Sequence, residues 1–205
     1  MTLGRLVLLR HGRTAWNAEF RMQGRLDPEL DDTGVAQAVA AAPRVAGYEP
    51  SLLVSSDQVR AWRTAESVAK ATGLTPRPEP RLRETSLGEW EGLTGPEVEA
   101  GWPGGIASWR SDPRWAPPGG ESRVQVAERA LPVVAEAVEE LAHTDEPVTA
   151  VFVAHGGTIG AVTACVLGWP VEVWHSLHPL GNCHWAVLEH RPDRWRLCAW
   201  GTGAV

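Results

Sequence analysis

Two stretches of this chain share one pattern, an apolar strand that ends in a histidine. The first, LVLLRHGRT, runs from the apolar residues 6–9 into Arg10, His11 and Gly12, and the second, VTAVFVAHGGTIG, runs into His155 and two glycines. Continuous apolar runs of this length are typical of strands buried on both faces in a parallel sheet. Ligands bind at the carboxyl ends of such strands, so the pattern predicts an α/β fold with both histidines at one edge.

The rest of the chain alternates strands with helices. The pattern predicts strands at 3–9, 51–55 and 148–154, helices at 33–46, 59–71 and 121–141, and an antiparallel hairpin of 184–189 and 195–200 with its turn at 191–193. We expect Thr33 to cap the first helix and Gly47 to end it, and Thr94 and Glu97 have the spacing of a capping box. These elements predict an α/β three-layer sandwich, with a mostly parallel central sheet, an antiparallel edge strand, and helices on both faces.

The length of 205 residues suits one domain, and we expect residues 1–205 to form it. Residues 102–120 differ from the rest, because glycine and proline interrupt them, and we expect an ordered excursion without regular structure. Their tryptophans, Trp102, Trp109 and Trp115, have two interpretations. They are either packing anchors or parts of a lid that covers a cavity and stacks on a sugar.

Composition excludes several classes of function. A formal net charge of −6 argues against a general partner in nucleic acid or at a membrane surface. No apolar run approaches the roughly 20 residues that span a bilayer, and the first residues lack the pattern of a secretory signal. The three cysteines, Cys165, Cys183 and Cys198, lack metal-ligand spacing and are typical of small buried side chains in a reducing compartment. We therefore expect a cytoplasmic protein.

Four residues supply what phosphoryl transfer through a histidine needs. A neutral imidazole must act as nucleophile, cations must neutralise the phosphate oxygens, and an acid must protonate the leaving oxygen. His11 is the candidate nucleophile, and the charge of Arg10 beside it favours the neutral imidazole. Arg60 begins the helix after the second strand, and Glu84, in RLRETSLGEWEG, is the candidate acid.

These residues lie in motifs that together resemble the histidine phosphatase superfamily, the phosphoglycerate mutase-like proteins, over nearly the whole chain. The matching pieces are RHGRT with Trp16 and Asn17 after it, Gln23-Gly24, ELDDTGVAQA, SSDQVRAWRTA, RLRE, GEWEGLT, GGES and VAHGGTIGA. Within the superfamily, RMQGRLDPEL, WAPPGGESRV and the late Gly181-Asn182 are most similar to the actinobacterial glucosyl-3-phosphoglycerate phosphatases. One departure is Arg13, where the family commonly has Glu or Gln.

The resemblance implies a role for each matching residue. His11 would become a transient phosphohistidine, Glu84 would donate the proton, and Arg10, Arg60 and His155 would form the phosphate pocket. The substrate-binding residues that we expect are Asn17, Gln23, Gly24 and Gly156. The resemblance implies no metal and no cofactor. It suggests a homodimer whose substrate is a small phosphate monoester, glucosyl-3-phosphoglycerate or a related phosphorylated sugar acid.

Three other functions remain open at this point: a broad-specificity acid phosphatase, a cofactor-dependent phosphoglycerate mutase, and a non-catalytic module that binds a phosphorylated ligand. A mutase must shield its phosphohistidine from water, which needs extra covering structure. The segment between Glu84 and His155 is compact and little chain follows the final hairpin, so we expect hydrolysis. A binding module would be expected to have lost a reactive residue, and none is lost.

Overall fold

The computed structural model describes residues 3–142, 146–191 and 193–203. Within these ranges six strands form one sheet in the order β3-β2-β4-β1-β5-β6. The strands are β1 (Leu3–Arg10), β2 (Pro50–Ser55), β3 (Arg77–Pro78), β4 (Val148–Ala154), β5 (Trp185–Arg191) and β6 (Arg194–Thr202). The four strands from β3 to β1 are parallel, and the β5–β6 hairpin completes the sheet with antiparallel pairings. The mostly parallel sheet with an antiparallel edge is therefore confirmed.

Helices cover both faces of the sheet. In chain order they are α1 (Ala15–Ala18), α2 (Asp32–Ala46), α3 (Val59–Thr72), α4 (Gly95–Gly101), α5 (Gly105–Ser111), α6 (Arg123–Glu140) and α7 (Gly156–Val166), with short 3₁₀ turns between some of them. Helices α2 and α3 pack on one face, and α6 and α7 pack on the other. This arrangement is the predicted three-layer sandwich. None of the helices in the described ranges is long and apolar enough to cross a bilayer.

Side chains of β1 alternate between the two cores. Leu6 and Leu8 pack in the core that contains Val133 of α6, whereas Val7 and Leu9 pack in the core that contains Val68 of α3. All four β1 side chains are almost completely buried. A strand buried on both faces needs apolar residues at every position, which is why its sequence is continuous rather than alternating.

The structure corrects three of the sequence-based predictions. Asp31, not Thr33, is the N-cap of α2: its carboxylate accepts a hydrogen bond from Gly34 N at 2.7 Å, while the Thr33 hydroxyl accepts one from Arg13. Residues 102–120 are not wholly irregular, since α5 begins after Gly104, whose φ of +78° turns the chain into the helix. Among the cysteines only Cys183 is buried, and Cys198 is exposed.

Other element boundaries agree more closely. The capping box at Thr94 and Glu97 is present, and Gly73 ends α3 in the left-handed conformation. Helix α6 begins two residues later than expected, because the Ser122 hydroxyl caps it. The expected turn at 191–193 includes residue 192, which lies outside the described residues.

Pairing of β1 with β4 brings the two histidine motifs together. Arg10 lies opposite Ala154 in the parallel ladder, and His11 N donates a hydrogen bond to Ala154 O at 3.0 Å. Strand β2 lies on the other side of β4, where Ser56 N donates to Val153 O at 2.9 Å. The carboxyl ends of all three strands therefore meet at one edge of the sheet.

Candidate active site

A cavity of about 210 Å³ opens at this edge of the sheet. Seven of the nine residues expected in the site contribute to its wall: Arg10, His11, Asn17, Gln23, Gly24, Arg60 and Glu84. The other two, His155 and Gly156, lie behind the wall, where the His155 ring is 5.1 Å from the His11 ring and Gly156 lies against the Arg10 side chain. Residues scattered over most of the chain are thus gathered around one cavity.

The hydrogen bond of His11 determines which ring nitrogen is free. Nδ1 lies 2.7 Å from Gly12 O, and because a carbonyl oxygen only accepts, Nδ1 carries the proton. Burial, followed by the charges of Arg60 and Arg10, lowers the pKa of His11 well below its usual value. The ring is therefore neutral near pH 7 and its Nε2 has a free lone pair. This is the electronic state that a nucleophilic imidazole requires.

Two buried arginines provide the positive charge of the cavity. The Arg60 side chain is 1% exposed and is held by Asp27, by Leu26 O at 2.8 Å and by Gly24 O at 3.0 Å. Arg10 donates from Nη1 to Leu180 O. The Nε atoms of both arginines are buried and have no hydrogen-bond partner among the described residues. Burial lowers the pKa of both groups, yet a guanidinium stays charged in proteins, so the pair forms a preformed site for an anion.

Glu84 is held at the amino-terminal end of α7. Its carboxylate accepts hydrogen bonds from Gly157 N and Thr158 N at 3.2 Å and from Thr85 N at 2.8 Å. A Cβ atom at Gly157 would lie 2.6 Å from the carboxylate, so only glycine allows this close approach. The second glycine of HGGTIG therefore makes room for the candidate acid.

The Asn17 side chain has a fixed orientation at the cavity wall. Its Oδ1 accepts from Thr14 N at 3.1 Å and from Asn182 Nδ2 at 3.2 Å, which leaves its NH₂ group as a donor. Gln23 is 9% exposed, and its Oε1 is buried without a partner in the described part of the chain. Both amides therefore offer polar atoms to a ligand in the cavity.

Sequence reasoning missed a set of residues that position the predicted ones. Gln58 joins two loops, because its Nε2 donates to Gly24 O at 3.2 Å and its Oε1 accepts from Glu84 N at 2.8 Å. Asn182 donates to His11 O at 3.1 Å and to Gly12 O at 3.3 Å. The sequence does contain these residues, within the SSDQVR motif and at Gly181-Asn182, but nothing in it indicates their partners.

Arg13, which departs from the family pattern, does not contribute to the cavity wall. Its Nε donates to Asp31 at 2.8 Å, so a carboxylate outside the cavity neutralises its charge. Trp109, from the tryptophan-rich segment, does line the cavity. It packs edge-on against Trp90 at 6.3 Å between ring centroids, and Arg123 lies 4.8 Å over its ring.

The two buried histidines predict a loss of stability in mild acid. Burial, with Arg60 next in effect, also lowers the pKa of His155 well below 6.5. Below pH 6.5 the unfolded chain binds protons at both imidazoles while the folded chain does not. The free energy of unfolding should therefore fall as the pH decreases from this value, with a slope that approaches about 1.4 kcal/mol per pH unit for each histidine as the unfolded imidazoles become fully protonated.

Urea unfolding between about pH 7 and pH 5 measures this dependence. The double variant His11→Gln, His155→Gln serves as the comparison, because it lacks both titrating groups. We expect its stability to depend less on pH than that of the unsubstituted protein across this range. Parallel pH profiles for the two proteins would contradict the expectation.

Known proteins with similar sequences identify the family of this chain. Residues 6–203 match the family model of the histidine phosphatase superfamily (branch 1). The glucosyl-3-phosphoglycerate phosphatase of Mycolicibacterium vanbaalenii is 48% identical over 220 residues, which cover 100% of this chain and 97% of the relative. A probable phosphoglycerate mutase of Salmonella paratyphi C is 33% identical over 200 residues, covering 95% of this chain and 89% of the relative.

A solved structure supports the same relationship. A mycobacterial glucosyl-3-phosphoglycerate phosphatase in complex with VO3 superimposes with a TM-score of 0.93 at 48% identity, covering 98% of this chain and 100% of that chain. The two chains therefore share one fold over nearly their whole length. The chain belongs to the histidine phosphatase superfamily.

Proposed function

We propose that this protein is a phosphatase that hydrolyses glucosyl-3-phosphoglycerate, or a closely related phosphorylated sugar acid, through a phosphohistidine at His11. The observation that carries the proposal is the state of His11: a neutral imidazole with Nε2 free, in a cavity whose wall also contains Arg10, Arg60 and Glu84. The substrate follows from the relatives that bear this name at nearly half identity over the whole chain.

In the first step of the proposed reaction, His11 Nε2 attacks the phosphorus atom. The N–P bond forms as the bond from phosphorus to the substrate oxygen breaks, and Glu84 gives its proton to the leaving oxygen. Arg10 and Arg60 stabilise the charge on the nonbridging oxygens. The fixed Nδ1–H hydrogen bond to Gly12 O stabilises the positive charge that the ring gains during attack.

In the second step, water attacks the phosphorus atom and gives a proton to Glu84. The N–P bond breaks, inorganic phosphate leaves, and His11 returns to the neutral state with its proton on Nδ1. Glu84 is protonated again and ready for the next substrate. No step requires a metal ion, so we expect activity to persist in EDTA.

Residues 102–120 complete the proposed single domain as an outer wall of the cavity. Trp109 carries this part of the proposal, because it lines the cavity and is packed between Trp90 and Arg123. An aromatic ring in the cavity wall suits the apolar face of a sugar ring.

The cytoplasmic location and the homodimer are also proposals. The unpaired cysteines of the described chain support the cytoplasmic location. The superfamily resemblance supports the homodimer, and sedimentation equilibrium measures the oligomeric state.

Phosphate release in EDTA tests the proposed function, with glucosyl-3-phosphoglycerate, 3-phosphoglycerate and p-nitrophenyl phosphate compared side by side. We expect kcat/KM to be at least about tenfold higher for the glucosylated substrate than for 3-phosphoglycerate, since the sugar adds contacts. Equal values would indicate a broad-specificity phosphatase. Conversion of 3-phosphoglycerate to its 2-phospho isomer without phosphate release would indicate a mutase.

A further inference from the structure

We propose that Ser56 fixes the tautomer of His155, by donating its hydroxyl proton to Nε2 and so placing the imidazole proton on Nδ1. The two atoms, Ser56 Oγ and His155 Nε2, are 2.8 Å apart, and both residues are completely buried. The inference rests on the proposed function only where it assigns His155 to the phosphoryl group. Ser56 is then a positioning residue that acts through His155 rather than on the substrate.

The direction of the hydrogen bond follows from the other partner of Ser56. Gln58 N donates to Ser56 Oγ at 3.3 Å, which uses the hydroxyl oxygen as an acceptor. The hydroxyl proton must then find an acceptor, and the one that the described residues offer is His155 Nε2. If Nε2 itself carried the proton, Ser56 would accept twice and its own proton would be buried without a partner, which is costly.

The opposite side of the imidazole agrees with this direction. His155 Nδ1 is buried and has no hydrogen-bond partner within the described ranges. Because burial and the nearby Arg60 hold the pKa of His155 well below its usual value, the ring is neutral and only one nitrogen bears a proton. The hydrogen bond made by one nitrogen therefore decides what the other can do.

The tautomer matters for an anion near the paired histidine rings, whose centroids are 5.1 Å apart. With its proton on Nδ1, the neutral His155 ring would offer a hydrogen-bond donor to a phosphoryl oxygen. With its proton on Nε2, it would present a lone pair to a negatively charged oxygen, and the two would repel. Ser56 thus decides whether His155 attracts or repels the phosphoryl group.

Nitrogen-15 NMR of the free protein, labelled at histidine, reads the tautomer directly. His155 is assigned by the loss of its signals in His155→Gln, and His11 serves as an internal reference because Gly12 O holds its proton on Nδ1. We expect His155 to bear its proton on Nδ1 in the unsubstituted protein. In Ser56→Ala we expect the Nε2–H form to appear at His155 while His11 stays unchanged.

Inhibition by inorganic phosphate provides a second readout, with Ser55→Ala as the matched control. Ser55 is the neighbouring residue and is equally buried, but its hydroxyl donates to Ser56 O at 2.8 Å and not to a histidine. We expect Ser56→Ala to raise the inhibition constant of phosphate about tenfold, and Ser55→Ala to leave it nearly unchanged. The two variants also separate loss of the tautomer from general destabilisation of the strand end.

Two results would overturn the proposal: a proton on His155 Nε2 in the unsubstituted protein, or an unchanged tautomer and phosphate affinity in Ser56→Ala. Failure of the proposed function is distinguishable from both, because NMR of the free protein requires no turnover. If the protein were inactive but His155 had the expected tautomer, the role of Ser56 would stand and the proposed phosphatase function would be contradicted.

Discussion

Replacement of His11 by alanine should reduce phosphate release by about 10⁴-fold or more, because removal of a nucleophile eliminates the covalent route altogether. The neutral ring with Nε2 free is the only group of the site to which we assign nucleophilic attack. Water acting alone in the cavity would still benefit from Arg10 and Arg60, so a small residual rate is expected. The measurement is kcat for phosphate release with each of the three substrates.

His190→Ala is the control for this variant. His190 lies in β5 beside Trp195, at a ring distance of 4.6 Å, and does not contribute to the wall of the cavity. His190→Ala also removes an imidazole, but outside the cavity, and should leave kcat unchanged. If His11→Ala retained most of the activity, another nucleophile would perform the reaction and the proposed mechanism would be wrong.

Replacement of Glu84 by glutamine should reduce kcat by an amount that depends on the leaving group. For a sugar acid ester, whose alkoxide leaves poorly, we expect a loss of about 10²- to 10³-fold, which is the usual effect of general acid catalysis. For p-nitrophenyl phosphate the loss in the first step should be much smaller, since the phenolate leaves without a proton. Comparison of single-turnover rates for the two substrates measures the difference.

The leaving-group dependence separates acid catalysis from a purely structural role. Glu84 also accepts hydrogen bonds from the amino-terminal end of α7, so glutamine places an amide group where three backbone N–H groups converge. A structural defect would reduce the rates with both substrates equally. That result would contradict the assignment of Glu84 as the general acid. Glu89→Gln, an exposed carboxylate in the same segment, is the matched control and should behave as the unsubstituted protein.

The sheet and the central part of the cavity could be predicted from sequence because their signals are local. A strand that is apolar at every position must be buried on both faces, and parallel strands end at the same edge. These two facts are sufficient to bring His11 and His155 together once β1 and β4 pair. Arg60 and Glu84, which the sequence offered as the second cation and the acid, both line the cavity as well.

The hydrogen-bond partners that orient these residues could not be predicted in the same way. Ser56 and His155 are far apart in the sequence, as are Asn182 and His11, and their contacts depend on the register of neighbouring strands and on loop conformation. A polar residue beside a motif gives no indication of its partner. Physical reasoning identifies such pairs only after the backbone is known, when each buried donor and acceptor can be accounted for.

Two predictions about local structure were wrong: the cap of α2 and the absence of regular structure in residues 102–120. Asp31 and Thr33 are both good N-cap residues, and Arg13 hydrogen-bonds to both, but the second carboxylate oxygen of Asp31 accepts from Gly34 N and caps the helix. In residues 102–120 the packing of Trp102 and Trp109 against Trp90 stabilises a helix that the glycines and prolines alone disfavour. In residues 102–120 these tertiary contacts outweighed local propensity.

Direct detection of the covalent intermediate tests whether His11 is the nucleophile. The protein is mixed rapidly with p-nitrophenyl phosphate, quenched in alkali, which preserves phosphohistidine, and digested for peptide mass spectrometry. We expect a phosphoryl group on His11 in the unsubstituted protein and none on the corresponding peptide of His11→Ala. Turnover without a phosphorylated peptide, or with the phosphoryl group on His155 instead, would contradict this expectation.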